Sequence, residues 1–463
     1  MQIGYKKTLL LLLCAATFTA QAQQKLALSA KGAVEYARKN NTLVKNALLD
    51  VQLQEQTNRE ITARAFPQIN ASSGINYAPN VAIQRFPNFI AAATYGVLAQ
   101  EGVKNGNGTP VATPNDFGFI SAAFGTKFNN TVGADLQQLL FEGQVFVGLQ
   151  ARKTSMDFAR KNVEVTEENI KANIYKIYYQ LAAGSNQIGI LDANIGRLQK
   201  LADDTRKLYE AGFAERLDID KVTVQLNNLQ TEKQKVINTI DNGYLGLKVL
   251  MGMPVRDTLV LTDSITYDDI RNGVLDATTY NYEDRKEYQY AELGKKLGEY
   301  NIKRYQLAGL PTVALSSDYT FLRQSNKFGF GGLWNPASGI GLRISVPIFD
   351  GFARAARVQT ARLQLQQTQN RITDLKLTID RDVQQSINDY TNSLATLDNQ
   401  KRNMELAEKV YGQTKKKYEI GTGSNLEINN ADTELRIAQS NYINALYDAI
   451  IAKIDFLKAT GKL

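Results

Sequence analysis

The sequence of 463 residues contains no histidine and a single cysteine, Cys14. With no imidazole, and with its one thiol in an N-terminal segment that is expected to be removed, the chain has no material for His/Cys metal sites, thiol nucleophiles or imidazole bases. A hydrolase built on carboxylates alone stays possible, but we find no constellation of catalytic groups. The sequence therefore predicts no catalytic site, no metal site and no cofactor.

Long apolar runs and basic clusters are also missing. After the N-terminal segment the longest apolar candidate is 89–98, which is broken by Thr94 and Gly96. It is far shorter than the roughly 20 residues of a membrane-spanning helix, so contact with lipid would have to come from strands. The net charge of +8 is spread along the chain, without a Lys/Arg cluster that could follow a phosphate backbone. We expect no nucleic-acid partner.

The first 22 residues are typical of a secretory signal peptide. Lys6-Lys7 forms the charged start, Leu9–Leu13 opens the apolar region, and Ala20-Gln21-Ala22 is a small-x-small cleavage site. A lipoprotein signal would need small residues just before Cys14, where this chain has leucines, so we expect no acylation. The mature chain is expected to begin at about residue 23 and to lack cysteine.

The rest of the chain is a tandem duplication. Phe141-Glu142-Gly143 aligns with Phe349-Asp350-Gly351 at an offset of 208, and Tyr209–Gly212 aligns with Tyr418–Gly421 at an offset of 209. Each Phe-acid-Gly motif joins an alternating apolar stretch to a polar helical stretch without a loop between them. We therefore predict one strand-to-helix junction in each half, marked by Phe141 and Gly143 and by Phe349 and Gly351.

One half carries a long insertion. A proline enters the first strand of each half, Phe66-Pro67 in the first and Leu310-Pro311 in the second. The distance from this proline to the Phe-acid-Gly motif is 74 residues in the first half and 38 in the second. The extra residues predict a long loop at about 78–127.

Each half has the same predicted order: helix, proline, strand, loop, strand, long helix, short turn, helix. Period-two alternation predicts the strands, and long stretches without proline predict the helices. The first repeat is predicted at 23–252, with strands at about 68–78 and 129–140 and helices at about 144–211 and 215–251. A connecting segment is predicted at 253–284. The second repeat is predicted at 285–463, with strands at about 312–322 and 339–349 and helices at about 352–419 and 424–460.

The long helices carry a narrow apolar seam. In the second repeat its members follow one another by threes and fours, with polar residues between them: Ile372, Leu375, Ile379, Val383, Ile387, Tyr390, Leu394 and Leu397. This pattern predicts antiparallel coiled-coil hairpins, each turning at Tyr-Glu-x-Gly, where glycine accepts the left-handed conformation. An ordinary long helical bundle remains the alternative.

Four strands are too few to close a membrane barrel, which needs about eight. Open strand edges are not tolerated in hydrocarbon, so lipid-facing strands would require several chains to share one barrel. The residues do not choose between two chains and three, and a soluble sheet with one wet face is the alternative.

The chain resembles the TolC-like outer membrane efflux proteins over essentially the whole mature sequence. The resemblance rests on the paired Phe-acid-Gly and Tyr-Glu-x-Gly motifs, on the Leu-Asp/Glu-Ile that follows each turn, on the two strand-entering prolines and on Asn40–Leu43. It implies a mainly α protein with membrane β structure. In a homotrimer, four transmembrane strands per chain would form a shared twelve-stranded β-barrel, and the coiled-coil hairpins would form an α-barrel that extends into the periplasm.

The resemblance also implies partners and site residues. The helical turns of the family dock on a periplasmic adaptor, which links them to an inner-membrane pump. The corresponding residues here are Gly212, Phe213, Ala214, Glu215, Leu217 and Asp218 (tip 1) and Gly421, Thr422, Gly423, Ser424 and Leu426 (tip 2). Phe213 could instead pack between helices.

An acidic constriction of the family maps onto Glu427 and Asn430. Since the second position is an amide here, the resemblance implies a weaker cation-attracting constriction at the periplasmic entrance. The alternative is that Glu427 only caps its helix, as a capping-box partner of Ser424.

The resulting functional prediction is the outer-membrane exit duct of a tripartite efflux pump that passively conducts small molecules. Heavy-metal export is disfavoured, because five methionines and no histidine leave few soft ligands. The alternatives are a duct for type I protein secretion, a periplasmic coiled-coil adaptor or envelope protein, and an enzyme.

Overall fold

The computed structural model describes residues 25–271 and 280–463, which form two compact units. The predicted signal peptide, with Cys14, and part of the predicted connecting segment lie outside the described residues. One unit comprises 25–56, 151–300 and 360–463, and the other comprises 57–150 and 301–359.

Helices make up most of the chain. They are α1 (Ala30–Asn40), α2 (Thr42–Ala63), α3 (Phe89–Gln100), α4 (Gly143–Glu210), α5 (Arg216–Met251), α6 (Tyr267–Arg271), α7 (Lys286–Leu307), α8 (Ala353–Glu419) and α9 (Asn425–Ala459). Within 25–271 and 280–463, none of the helices is long and apolar enough to cross a membrane.

Two antiparallel helix pairs organise the first unit. In the α4–α5 pair, glycines allow the backbones to approach closely: a Cβ at Gly184 would lie 2.9 Å from Ile240, and one at Gly243 would lie 2.6 Å from Leu181. In the α8–α9 pair, the Tyr390 ring stacks on Phe456 at 5.9 Å. The predicted seam of α8 is buried at Ile372, Ile379, Val383, Tyr390 and Leu397. Its coiled-coil geometry stays a prediction.

A hydrogen-bonded lock joins distant parts of the first half. Asn41 Nδ2 donates to the Leu250 carbonyl oxygen (2.6 Å), while Asn41 Oδ1 accepts from the backbone nitrogen atoms of Leu43 (2.7 Å) and Val44 (3.2 Å). Just beyond, Gly252 has φ +70°. A Cβ there would lie 2.4 Å from the Asn40 carbonyl oxygen.

The second half repeats this lock at matching positions. Arg285 Nη1 donates to the Ala459 carbonyl oxygen at 2.9 Å. Gly461 has φ +72°, and a Cβ there would lie 2.8 Å from the Asp284 carbonyl oxygen. The contact is the same, but a guanidinium replaces the amide.

A buried tyrosine anchors the small parallel sheet formed by β1 (Lys25–Leu28) and β6 (Thr258–Leu261). Tyr178 of α4 donates its hydroxyl to the Leu28 carbonyl oxygen (2.9 Å) and accepts from the backbone nitrogen atoms of Thr262 (3.1 Å) and Asp263 (2.9 Å). One side chain therefore ties the C-terminal ends of both strands to the long helix.

The second unit is built on a four-stranded antiparallel sheet. Its strands are β2 (Gln68–Tyr77), β5 (Phe128–Phe141), β7 (Thr312–Ser325) and β8 (Asn335–Ser345), in the order β2-β5-β7-β8. In this order β2 and β8 are edge strands, each paired on one side only among the described residues. Sheet pairing thus unites strands from both halves of the sequence.

The two faces of this sheet differ in polarity. The register aligns Asn70 with Asp135 and Asp135 with Asp318 on one face, where Asn70 Nδ2 donates to Asp135 Oδ2 at 3.2 Å. The other face carries an exposed apolar row of Ile69, Ile75, Val132, Tyr319, Phe321, Ile340, Leu342 and Ile344.

The predicted long loop contains regular structure that its sequence pattern did not reveal. It holds a hairpin of β3 (Ile83–Pro87) and β4 (Phe119–Ala123), with α3 between them. Two aromatic pairs and one cation–π contact order this region: Phe86 with Phe124, Tyr95 with Phe117, and Arg85 over the Phe119 ring.

The two strand-to-helix junctions are built differently. At the first, β5 ends at Phe141 and α4 begins at Gly143, as predicted. At the second, the prediction of a direct passage is wrong, because β8 ends at Ser345 and α8 begins at Ala353. Ser345 pairs with Thr312, the first residue of β7, and Pro347 two residues on has no N–H to extend the ladder.

Candidate functional site at the helical tips

Tip 1 and tip 2 share one turn geometry. Gly212 has φ +81° and Gly421 has φ +77°, the left-handed conformation that ends a helix at glycine. In tip 1 the next backbone nitrogen, that of Phe213, donates to the Leu208 carbonyl oxygen at 2.8 Å. In tip 2 the Thr422 nitrogen donates in the same way to Lys417 at 3.0 Å. The Tyr-Glu-x-Gly pattern thus marks a fixed turn in both halves.

The returning helices begin with different caps. At α5, the Glu215 backbone nitrogen donates to Asp218 Oδ2 at 3.3 Å. At α9, Ser424 Oγ accepts from the Glu427 backbone nitrogen at 3.2 Å. Ser424 is therefore an N-cap, but no bond from the Glu427 carboxylate back to the Ser424 nitrogen occurs among the described contacts. The Glu427 side chain therefore does not complete a capping box among the described contacts.

The two tips lie side by side across a groove of about 770 Å³. Predicted tip residues that line it are Phe213, Ala214, Asp218, Gly421, Gly423 and Ser424, whereas Gly212, Glu215, Leu217, Thr422 and Leu426 do not. Large apolar side chains around it remain in solvent, with Phe213 83%, Ile420 74% and Leu426 69% exposed. Phe213 therefore does not pack between helices of its own chain.

The predicted entrance residues share one face of α9. Glu427 and Asn430 are exposed, while Ile428 and Asn429 between them are buried against the chain. A spacing of three residues places the carboxylate and the amide on neighbouring turns of the same helix face. This face of α9 is therefore exposed to solvent and is not packed within its own hairpin.

A buried ion network behind the tips was not predicted. Asp432 is 1% exposed and accepts from Arg436 Nε at 3.1 Å and from Arg197 Nε at 3.5 Å. The Arg197 guanidinium also lies 5.4 Å from the Tyr411 ring centroid. The network joins α4, α8 and α9. Its sequence signal is the Asp432–Arg436 pair at helical spacing, which many surface helices also carry.

The junction glycines serve different purposes. A Cβ at Gly143 would lie 2.5 Å from the Leu307 carbonyl oxygen, so this glycine permits a close approach to α7. Gly351 has φ +63° with open space around it, and Phe352 beside it has φ +66°. The Phe349 and Phe352 rings, both exposed, contact each other at 5.5 Å.

Comparison with known proteins places these features in a family. Residues 283–462 match the model of the outer membrane efflux protein family. The chain is 19% identical to the outer membrane protein TolC of Vibrio cholerae over 344 residues, which is 72% of this chain and 77% of that protein. The chain is therefore similar to the TolC-like outer membrane efflux proteins. TolC of Vibrio cholerae is an outer membrane protein.

Other relatives have more specific names. The TolC-like chain is 20% identical to the proteases secretion protein PrtF of Dickeya chrysanthemi (71% of this chain, 72% of that protein). It is 20% identical to the toluene efflux pump outer membrane protein TtgC of Pseudomonas putida (73% and 69%). The structure of CusC matches with a TM-score of 0.75 at 16% identity, covering 93% of this chain and 92% of CusC.

Proposed function

We propose that this protein is the trimeric outer-membrane exit duct of a tripartite efflux pump and that it passively conducts small molecules from the periplasm to the outside. The observation that carries the proposal is the four-stranded sheet with an apolar row on one face, polar residues on the other and two edge strands. Membrane strands need every edge paired, so neighbouring copies would complete the sheet.

The oligomeric state tests this proposal. The protein is extracted in detergent from an outer-membrane fraction, and its mass is measured by light scattering corrected for bound detergent. Three copies per particle are expected, since three chains supply twelve strands. A monomer released with the soluble periplasmic proteins would contradict the lipid-facing strands and, with them, the duct.

The tips are the proposed contact with a periplasmic adaptor. Phe213 supports this role, because it is a large apolar side chain exposed at the rim of the groove between the tips. We expect Phe213→Asp to lose in-cell cross-linking to the adaptor while the protein still assembles. Val249→Asp is the matched control, because Val249 is also exposed (66%) but lies near the far end of α5. Equal cross-linking in the two variants would mean that Phe213 does not contribute to the adaptor contact.

Glu427 and Asn430 are the proposed entrance constriction. Their exposed, shared helix face supports the idea, because repetition around a trimer axis would bring three carboxylates and three amides together. Glu427→Gln keeps the side-chain shape and leaves the Ser424 cap to the backbone nitrogen. We expect reduced cation selectivity in single-channel recordings of this variant. Unchanged selectivity would leave Glu427 without a role in filtering ions.

Protein secretion is the second candidate, and the similarity to PrtF favours it. The names of TtgC and PrtF point to different cargo, toluene and proteases, at the same level of identity. Deleting the gene and measuring both sensitivity to small toxic molecules and the secreted proteins separates the two. Increased sensitivity with unchanged secretion is the expected result.

A further inference from the structure

An apolar surface on the long loop is not explained by conduction or by adaptor docking. Helix α3 (FIAAATYGVLAQ) has no charged residue, and none of its residues is buried. Phe89, Ile90 and Val97 are each 58–60% exposed on one side of it. On the neighbouring hairpin, Ile83 and Phe119 share one face and are 69% and 65% exposed. We call this set the loop apolar surface.

Such a surface requires apolar cover. Exposed apolar side chains grouped in this way mark a contact with protein, ligand or membrane. Among the described contacts, the ring of Tyr95 on Phe117 is the aromatic packing that α3 makes, and both belong to the loop itself. The cover must therefore come from outside the loop.

The position of the loop in the chain indicates which apolar environment covers the loop apolar surface. The β2–β5 ladder continues directly into the loop, since the Ala78 nitrogen donates to the Lys127 carbonyl oxygen at 2.8 Å. At this end of the ladder Tyr77 stacks on Phe128 (4.8 Å), and Phe128 meets Phe328 (5.5 Å). Bands of aromatic residues at strand ends mark the boundary between lipid and water.

The length of the helix limits how it can meet lipid. At about 1.5 Å per residue, 12 residues span roughly 18 Å, which is too short for a hydrocarbon core of about 30 Å. Helices α2 and α4 adjoin the other ends of β2 and β5, so the loop lies at the end of these strands away from the helices. In an outer membrane protein whose helices extend into the periplasm, that end is the outer leaflet.

We propose that α3 and the β3–β4 hairpin form a lipid-contact element that lies in the outer leaflet beside the strands. Its partner is the boundary between acyl chains and headgroups, and the apolar row of the sheet continues into it. Charge supports a lipid rather than a polar protein partner, since Arg85 is the one charged side chain in β3, α3 and β4. The proposal rests on the membrane-crossing sheet of the proposed function.

Tryptophan fluorescence tests the lipid contact. The native Trp334 is replaced by phenylalanine, and single reporters are introduced as Val97→Trp on α3, Leu342→Trp on the apolar row of β8, and Thr109→Trp in a polar turn of the loop. Each full-length assembly is reconstituted into phosphatidylcholine vesicles with brominated acyl chains. Quenching by the bromolipid is compared with quenching by aqueous iodide.

We expect bromolipid to remove most of the fluorescence at positions 97 and 342, and iodide to quench position 109. Quenching of position 97 by iodide, with position 342 quenched by lipid, would overturn the lipid-contact element and leave the duct standing. Quenching of position 97 by neither agent would mean that another copy covers α3, which also overturns it. Failure of lipid to quench position 342 would refute the membrane-crossing sheet itself.

Discussion

Gly252 and Gly461 occupy equivalent positions at the C-terminal ends of α5 and α9. Both have left-handed backbones. A Cβ at Gly252 would collide with the Asn40 carbonyl oxygen, and a Cβ at Gly461 would collide with the Asp284 carbonyl oxygen. Glycine is therefore required twice over, by its torsion angles and by the space around it. Gly212 satisfies only the first condition, because no heavy atom lies within 4 Å of its Cβ position.

This contrast predicts the effect of adding one methyl group. Gly212→Ala should cost only the left-handed conformation, roughly 1–2 kcal/mol. Gly252→Ala should destabilise the protein by clearly more, because the Asn40 carbonyl must also move. The thermal unfolding midpoint of the two variants, measured in the same detergent, checks this order. Equal midpoints would show that the collision at Gly252 relaxes without cost.

Glu168 has a buried carboxyl oxygen, which disfavours the charged form of this side chain. Its Oε2 is buried without a hydrogen-bond partner among the described atoms, and burial, together with the charge of Glu287, raises its pKa. A raised pKa means that the folded state binds this proton more tightly than the unfolded state. The contribution to stability is therefore present at low pH and is lost as the pH rises from the ordinary value of 4.5 through the raised pKa.

Glu168→Gln mimics the protonated form and should remove this loss. We expect the variant to be more stable than the parent at neutral pH, with a smaller decline in its unfolding midpoint between acidic and neutral pH. Glu167→Gln is the control, because Glu167 accepts an ion pair from Arg38 at 3.0 Å. That variant should be no more stable than the parent at neutral pH.

Elements near the tips are held by the Asp432 network rather than by apolar packing alone. Removing one partner of a buried ion pair leaves the other charge uncompensated, which costs more than losing a surface pair. Asp432→Asn should therefore loosen α9 from α4. Faster amide hydrogen exchange is expected in residues 190–200 and 428–440, with the lock at Asn41 unaffected. If amide exchange in both regions equals that of the parent, the Asp432 network does not hold α9 against α4.

Several elements follow from sequence pattern, and others do not. Alternation located all four strands of the main sheet, and Tyr-Glu-x-Gly located both tips, because each pattern reflects a local conformational rule. The direct passage predicted through Phe349–Gly351 was wrong, because β8 already ends at Ser345 although the apolar alternation continues. Helix α3 lacks a polar face, so it has no period to detect. The Arg285 lock depends on a contact 174 residues away, which no local pattern contains.

For the whole molecule, the polarity of the sheet faces has a direct test. Ile340 and Ala337 lie on opposite faces of β8, and Ile340 belongs to the apolar row. A charge on a lipid-facing strand position costs about 2–4 kcal/mol near the membrane centre, whereas a charge in a water-filled interior is tolerated. Ile340→Arg should reduce the amount of protein assembled in the outer membrane, and Ala337→Arg should not. Equal amounts of both variants in outer-membrane fractions would mean that the faces are not distinguished by lipid.

The matched locks of the two halves bear on the history of the assembly. Asn41 and Arg285 make the same contact at the same place, so each half is a complete building block with its own fastening. If three such chains form a ring, as proposed, the ring contains six related blocks of two alternating kinds. Fusing the blocks in pairs lets alternate members diverge, so that the long loop with α3 recurs at every second position. Features can then be spaced around the rim in a way that six equal subunits could not produce.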